Sequence, residues 1–292
     1  MKKTLILQAP AKINLGLWVK HRRQDGYHEL ASIMQTITLA DIITINESSE
    51  PGIRISCNKP GVPLDSSNLV HRAAAVFLDQ MSIPPALSFH IEKKIPVAAG
   101  LAGGSTDAAA VLTGLARLFD KPLSSAELMN MGALIGSDVP FVIHGGLAVA
   151  EGRGEKLVFH EPPRPPLVVV IAVPSGVAVS TKWAYDNYHP GNNEAKERSF
   201  SMILQAYRSR DLDTMRKLVF NDLESVTLHR YPEVLRIKER LSATEEGVVL
   251  MSGSGPSVFG LFADKRSATR AVKNLDGLPV DVFVEHTAKK HY

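Results

Sequence analysis

Pro96-Val97-Ala98-Ala99-Gly100-Leu101-Ala102-Gly103-Gly104-Ser105-Thr106-Asp107 is a glycine-rich stretch that runs directly into an alanine-rich segment, AAAVLTGLARLFD. Glycine lets a backbone approach a ligand closely because no Cβ intervenes. The alanine-rich segment predicts a buried helix, with Ser105 or Thr106 where its N-cap belongs. A helix N-terminus presents free N–H groups and the positive end of the helix dipole. We therefore predict that residues 96–106, called the phosphate loop below, bind phosphate.

Two commoner phosphate-binding motifs do not fit this stretch. A Walker A loop ends in Gly-Lys-Ser/Thr, and no lysine follows Gly104. The G-x-G-x-x-G pattern of dinucleotide-binding proteins is also missing. The alternative is a glycine-rich turn that binds nothing. A second loop, Ser252-Gly253-Ser254-Gly255-Pro256-Ser257, is by itself as typical of a tight hairpin as of a ligand-binding loop.

The composition is that of a globular protein without a nucleic-acid-binding surface. The chain has 292 residues, of which 45% are hydrophobic and 22% charged. Its 33 basic and 30 acidic residues give a net charge of +3, too small to indicate nucleic-acid binding. The single cysteine, Cys57, excludes an internal disulfide. The apolar run Leu5–Leu7 is too short for a signal peptide. We predict a cytoplasmic protein with no membrane partner.

Secondary-structure signals indicate an α+β fold in two domains. Strands and helices interleave without a regular βαβ repeat, which is typical of α+β layers. The segment HEPPRPP at 160–166 holds four prolines in seven residues and interrupts both kinds of element. We therefore predict domains at 1–160 and 167–292. The helix LSSAELMNMGALIG is expected to begin at Ser124 or Ser125, with Glu127 in its first turn.

Three motifs together resemble the GHMP kinases, a family that includes galactokinase, homoserine kinase and mevalonate kinase. The phosphate loop matches the family pattern P-x-x-x-G-L-x-G-G-S-[ST]. Pro10-Ala11-Lys12-Ile13-Asn14-Leu15 matches its P-x-[KR]-x-N-L motif, and residues 252–257 match its late glycine-rich loop. The resemblance implies the two-domain GHMP kinase fold, with a ribosomal-protein-S5-like N-terminal domain and a ferredoxin-like C-terminal domain. ATP and the acceptor would share the cleft between them.

The resemblance also implies residues for catalysis and for ATP. Asp138, in GSDVPF, is similar to the catalytic aspartate that accepts the acceptor's proton, and Lys12 is similar to its cationic partner. Without the resemblance, Asp138 would be a helix N-cap and Lys12 a surface lysine. Asn68 and Lys94 fall near positions that line the nucleotide pocket together with the phosphate loop, although Lys94 fits a solvated strand equally well. Mg²⁺ is implied as a cofactor, without assigned protein ligands.

Further segments resemble a family member whose acceptor carries a cytidine group. They are Asp25-Gly26-Tyr27-His28, residues 136–141 and Asn221-Asp222-Leu223-Glu224. The reaction implied is phosphorylation of the 2-hydroxyl of a diphosphocytidyl methylerythritol, a step of the non-mevalonate route to isoprenoid precursors. The resemblance assigns cytosine binding to Tyr27 and His28.

The other acceptor contacts implied by the resemblance come from three further residues. Tyr185 would cover the second face of the cytosine, Thr181 would contact the same ligand, and Asn14 would bind the methylerythritol hydroxyls. The alternative for Tyr185 is ordinary packing beside Trp183.

Two other functions compete with this interpretation. One is another GHMP kinase, acting on homoserine or mevalonate. The other is a nucleic-acid-binding module, suggested by the basic run His21-Arg22-Arg23, but three residues and a low net charge argue against it. We predict small-molecule partners only, no nucleic acid, and a monomer or homodimer.

Overall fold

The computed structural model describes residues 3–24, 26–189 and 194–289 as a mixture of strands and helices. The strands are β1 Thr4–Arg22, β2 His28–Glu47, β3 Gly52–Cys57, β4 Ala86–Glu92, β5 Leu147–Gly152, β6 Lys156–His160, β7 Val168–Pro174, β8 Val248–Met251, β9 Val258–Phe262 and β10 Val280–His286. The helices are α1 Leu69–Gln80, α2 Gly103–Leu118, α3 Ser125–Ala133, α4 Val139–His144, α5 Thr181–Asn187, α6 Glu194–Ser209, α7 Leu212–Leu218, α8 Glu224–Arg230, α9 Pro232–Ser242 and α10 Lys265–Lys273. The predicted α+β class is confirmed.

The first sheet is built around the long antiparallel pair β1 and β2. It has the order β3-β4-β2-β5-β6, and β1 pairs with β2 outside that path. β1 has 19 residues and β2 has 20. The two strands stay paired over this length because the register shifts between Pro10 and Lys12, Asn14 and Gly16, and Val19 and His21 instead of breaking. Such bulges bend a strand and re-aim its side chains.

We call the part of the chain that carries the first sheet the first half, and the part that carries β7 to β10 the second half. Helix α2 is the central helix of the first half. Residues 106–116 and Leu118 are buried around the whole circumference of the helix. Alanine allows this because its small side chain lets neighbouring elements approach closely and costs no rotamer entropy. Burial on all sides fixes the position of the helix, and therefore fixes its N-terminus relative to β1.

The second sheet has four antiparallel strands in the order β10-β7-β9-β8. Taken in chain order, these are the fourth, first, third and second strands of the half, which is the ferredoxin-like arrangement. All seven residues of β7 are buried, as expected for its unbroken apolar run.

The two halves share a hydrophobic core. One buried cluster joins Ile13 and Ile33 of the first half to Ile171 and Phe259 of the second. The polypeptide also returns to the first half at its end, since Ala288 N–H donates to the Thr36 carbonyl at 2.8 Å. The loop at 160–166 separates β6 from β7, and the division into domains 1–160 and 167–292 stays a prediction.

Across the described parts of the chain, no helix combines the length and the apolar character that crossing a bilayer requires.

Candidate active site

A cavity of about 1100 Å³ lies where the two halves meet. This is large enough for two small molecules, since single-ligand pockets hold roughly 300–1,000 Å³. Most of the residues predicted for the site line it, and Lys94 and Thr106 are the two that do not. The predicted residues that line it are Lys12, Asn14, Tyr27, His28, Asn68, residues 96–105, Asp138, Thr181 and Tyr185.

Strand β1 places Lys12 and Asn14 side by side in this cavity. Residues two apart on a strand point to the same face. The alternate residues Ala11, Ile13 and Leu15 point the other way and are buried in the shared core. The register of β1 on β2 shifts on both sides of the Lys12–Asn14 segment.

Lys12 and Asp138 form an ion pair across the cavity. Lys12 Nζ lies 3.6 Å from Asp138 Oδ2, and the two side chains are 6% and 30% exposed. Lys12 is therefore not a surface lysine. Asp138 does occupy the N-cap position of α4, but its side chain caps no backbone N–H. The carboxylate is thus available to the lysine and to a ligand.

A buried hydrogen-bond chain orients Lys12. Its ammonium donates to Asn14 Oδ1 at 2.7 Å, and Asn14 Nδ2 donates to Ser32 Oγ at 2.7 Å. Ser32 in turn donates to the Gly16 carbonyl at 3.0 Å. Ser32 could not be predicted from the sequence, because an ordinary strand serine carries no motif. Only the pairing of β1 with β2 brings it to Asn14.

The phosphate loop leads into α2, which begins at Gly103. The N-cap is Ala102, in the left-handed conformation at φ 60°, and no side chain caps the helix. The N-cap expected at Ser105 or Thr106 is therefore wrong, because the helix starts before either residue. Thr106 instead donates from Oγ1 to the Pro10 carbonyl at 2.5 Å and ties the loop to β1. The uncapped first turn leaves N–H groups facing the cavity for an anion.

Loop 252–257 supports the phosphate loop from the second half. Gly100 has φ +75°, and a Cβ on it would lie 2.2 Å from the Ser252 carbonyl oxygen, so no other residue fits. The Ser252 hydroxyl donates to the Gly100 carbonyl at 3.0 Å. The Asn221 amide donates to the Met251 and Gly253 carbonyls, both at 2.8 Å. One role of the segment 221–224 is therefore to hold this loop in place.

Beneath the phosphate loop, Lys93 lies between two buried carboxylates. Lys93 Nζ contacts Asp41 Oδ2 and lies 2.8 Å from Asp107 Oδ2. Burial by itself would lower the pKa of Lys93, but the charges of Asp107 and Asp41 raise it. Burial, opposed by the charge of Lys93, raises the pKa of Asp107 to about 7. Lys93, not its neighbour Lys94, lines the cavity, and Lys94 pairs on the surface with Glu92 at 3.4 Å.

Asn68 lines the cavity at the start of α1. Its side chain accepts a hydrogen bond from Val70 N–H at 2.9 Å, which caps the helix. Its amide nitrogen also donates to the Pro63 carbonyl at 2.6 Å. Both bonds hold the segment before α1 against the phosphate-loop end of the cavity.

Aromatic side chains gather at the other end of the cavity. The rings of His28 and Tyr185 lie 5.4 Å apart, and the Trp183 ring contacts that of Tyr231. Tyr185 and Trp183 also both pack against one buried hydrophobic cluster, so packing is part of the role of Tyr185. Burial, and then the charge of Asp138, raise the pKa of Tyr185. Burial and the charge of Arg22 lower the pKa of His28, which favours a neutral ring.

Tyr27 and Thr181 complete this end. Tyr27 is 55% exposed, and its ring lies 5.0 Å from the Arg153 guanidinium. The Thr181 hydroxyl lies 3.0 Å from that of Ser254, in the loop that supports the phosphate loop. Asp25, the first residue of the DGYH segment, lies outside the described residues.

The described residues contain no group of three or more His, Cys, Asp or Glu side chains that could hold a metal ion.

An uncapped helix N-terminus facing a lysine–aspartate pair across one cavity is the arrangement of a small-molecule phosphotransferase. The chain belongs to the GHMP kinase family: residues 68–146 match the GHMP kinases N terminal domain, and residues 203–278 match the GHMP kinases C terminal domain. The kinases of this family take ATP as co-substrate.

Several relatives more than 40% identical over nearly the whole chain carry one name. The chain is 44% identical to the 4-diphosphocytidyl-2-C-methyl-D-erythritol kinase of Geobacillus sp. (strain WCH70), covering 96% of this chain and 95% of the relative. A solved 4-(cytidine 5'-diphospho)-2C-methyl-D-erythritol kinase superposes with a TM-score of 0.76 at 32% identity, covering 97% of this chain and 100% of its own. Homoserine kinase from Cytophaga hutchinsonii superposes at 0.78 with 18% identity, covering 99% and 96%, which shows the shared fold alone.

Proposed function

We propose that this protein transfers the γ-phosphate of ATP to the 2-hydroxyl of 4-diphosphocytidyl-2-C-methyl-D-erythritol. The observation that carries the proposal is the position of the Lys12–Asp138 pair. It lies between an uncapped helix N-terminus, suited to a nucleotide's phosphates, and an aromatic cluster suited to a base. The names of the relatives point to the same acceptor.

The ATP end uses backbone more than side chains. The free N–H groups at the start of α2 receive the phosphates, helped by the helix dipole. The backbone N–H of Lys12 donates to the Leu101 carbonyl at 3.2 Å. This bond fixes the distance between the phosphate loop and the Lys12–Asp138 pair. Mg²⁺, when bound, neutralises charge on the β- and γ-phosphates. Ser105 is among the residues that line the cavity, and it is the residue that we assign to Mg²⁺.

Asp138 and Lys12 act on the acceptor hydroxyl. A neutral alcohol is a weak nucleophile, and a carboxylate that accepts its proton assists attack on the γ-phosphorus. The adjacent ammonium offsets charge developing on the phosphoryl group. Asn14, held by Ser32, contributes a polar group beside Lys12 for the alcohol's other hydroxyls.

The cytosine is proposed to bind among Tyr27, His28 and Tyr185. Aromatic faces stack on bases, and a neutral histidine offers both a donor and an acceptor to the edge of the base. The acceptor of a homoserine or mevalonate kinase carries no base, so these three rings favour the cytidyl acceptor. We further propose that the enzyme acts in the cytoplasm on small molecules, without nucleic acid, as a monomer or homodimer.

A phosphotransfer assay tests this proposal. Purified protein receives Mg-ATP with the cytidyl acceptor, homoserine or mevalonate in parallel, and ADP and the phosphorylated product are both measured. We expect product with the cytidyl acceptor alone. Product with homoserine or mevalonate, and none with the cytidyl acceptor, would overturn the acceptor assignment.

A further inference from the structure

Arg153 stands in a tight turn that faces the aromatic end of the cavity. The turn joins β5 to β6, and Arg153 lines the cavity with its guanidinium 5.0 Å from the centre of the Tyr27 ring. A guanidinium at that distance from an aromatic ring makes a favourable cation–π contact. The side chain is partly buried, so it is held at the cavity wall rather than extended into water.

A carboxylate of the same turn bonds to the backbone of Arg153 and not to its guanidinium. Glu155 Oε2 accepts a hydrogen bond from the backbone N–H of Arg153 at 2.6 Å. Gly152 makes room for that carboxylate, since at φ +74° a Cβ would lie 2.7 Å from Glu155 Oε1. Glu155 therefore fixes the shape of the turn without pairing with the Arg153 guanidinium.

Arg153 differs from the nearby lysines Lys182 and Lys20 in its charge pairing. Lys182 pairs with Asp186 at 2.5 Å, and the charge of Arg22 also acts on Asp186. Lys20 pairs with Glu151 at 3.6 Å. Within the described ranges the Arg153 guanidinium forms no ion pair with a carboxylate. A partly buried cation without a protein anion is suited to an anionic ligand.

The turn also lies between the two ends of the proposed acceptor site. On one side it reaches Tyr27 through Arg153. On the other side it packs on the residue before Asp138, since a Cβ on Gly154 would lie 3.8 Å from Ser137 Cβ. In a ligand whose reacting hydroxyl lies at Asp138 and whose base lies at Tyr27, the group that joins these two parts must lie beside this turn.

We infer that the Arg153 guanidinium binds the diphosphate that joins the nucleoside of the acceptor to its alcohol. Arg153 is then a specificity-determining residue that selects acceptors carrying a nucleoside diphosphate. The planar guanidinium matches a phosphate with two parallel hydrogen bonds, while its stem and π face keep the Tyr27 ring in place. This inference rests on the proposed function.

Comparing CDP with cytidine tests the inference, because the two ligands differ only in the diphosphate. Binding of each is measured by titration calorimetry with the ATP site saturated by a non-hydrolysable ATP analogue. In Arg153→Gln we expect CDP to bind about ten- to a hundredfold more weakly, the usual cost of losing a charged hydrogen bond, and cytidine to bind as before. The affinity of Arg153→Lys for CDP should lie between those of wild type and Arg153→Gln. Lysine keeps the charge but lacks the planar group that makes two parallel hydrogen bonds.

Lys156→Gln is the matched control, because it removes the same charge from an exposed side chain at the start of β6 that does not line the cavity. It should leave the ratio of CDP to cytidine affinity unchanged. An unchanged ratio in Arg153→Gln would overturn the inference, and so would equal weakening of both ligands, which would mean that Arg153 acts through Tyr27 alone.

The wild-type protein separates this inference from the proposed function. Wild-type protein that phosphorylates the cytidyl acceptor, together with Arg153→Gln that keeps the acceptor KM, would refute the inference only. Wild-type protein that neither binds CDP nor phosphorylates the cytidyl acceptor would refute both.

Discussion

At the scale of single residues, the cavity brings Lys12 to 3.6 Å from Asp138 and surrounds the pair with groups that no motif marks. The sequence predicted the pair because each member lies in a recognisable segment. Ser32, Asp41 and Asp107 could not be predicted, since their contacts depend on strand pairing and on where α2 packs. Lys93 and Lys94 could not be told apart either, because β4 ends at Glu92 and the strand alternation stops there.

The buried carboxylate of Asp107 should make stability depend on pH. Its pKa is raised from an ordinary 3.8 to about 7, so between about pH 4 and 7 the folded protein holds a proton that the unfolded chain has lost. Folding stability contributed by this group therefore falls as pH rises through that window, by up to about 1.4 kcal/mol for each pH unit. Asp107→Asn removes the ionisable group and with it this loss of stability at higher pH.

Urea unfolding of both proteins at pH 5 and pH 8 measures the effect. The free energy of unfolding of Asp107→Asn, relative to wild type, should increase from pH 5 to pH 8. Taking the difference cancels groups that titrate alike in both proteins. A difference that stays constant or decreases would mean that Asp107 is ionised throughout this range.

At the scale of secondary-structure elements, the sequence predicts a helix or strand where a local signal such as a helix cap marks it. The helix expected at Ser124 begins there with a capping box, in which Ser124 and Glu127 satisfy each other's backbone N–H groups. The N-cap of α2 was placed three or four residues too late, because Ala102 in a left-handed conformation is no recognised cap. The support of the phosphate loop by loop 252–257 joins distant segments, so only the fold reveals it.

Gly100→Ala should weaken this support. Its added Cβ meets the Ser252 carbonyl at 2.2 Å and also requires a left-handed alanine at φ +75°. Gly277→Ala is the matched control, since its φ is +81° and nothing lies within 4 Å of the added Cβ. Both substitutions should cost about 1–2 kcal/mol for the conformation, and Gly100→Ala about 1–3 kcal/mol more for the overlap.

Chemical denaturation and the KM for ATP are the measurements for this pair. Gly100→Ala should also raise the KM for ATP, whereas Gly277→Ala should leave it unchanged. Equal losses of stability with an unchanged KM in both variants would show that the contact between Gly100 and Ser252 does not shape the ATP site.

At the scale of the whole molecule, the two halves share one buried core and are therefore joined more closely than two domains that only a linker connects. Tyr207 of the second half is fully buried and donates to Gln35 Oε1 of the first at 3.0 Å. The proline-rich segment 160–166 marked the change of sheet, but burial across the junction depends on tertiary packing. We therefore expect the protein to unfold in one cooperative transition.

The two tryptophans, Trp18 in the first half and Trp183 in the second, report on this directly. Trp18→Phe leaves only Trp183, and Trp183→Phe leaves only Trp18. In each variant, the fluorescence and far-UV circular dichroism transitions in urea should coincide. Fluorescence and dichroism midpoints that separate in either variant would show that the halves unfold independently.

The central claim is that Asp138 activates an acceptor hydroxyl in a cavity that binds ATP and the cytidyl acceptor together. Asp138→Asn keeps the shape of the side chain and removes its ability to accept the proton. Asp120→Asn is the control, since it removes an exposed carboxylate paired with Lys3 at 3.1 Å. Steady-state kcat with the cytidyl acceptor, and calorimetric affinity for a non-hydrolysable ATP analogue, are measured in both variants.

We predict that Asp138→Asn lowers kcat by about 10²–10⁴-fold, with the affinity for the ATP analogue and the fold unchanged, and that Asp120→Asn behaves as wild type. Near-normal turnover in Asp138→Asn would contradict the account.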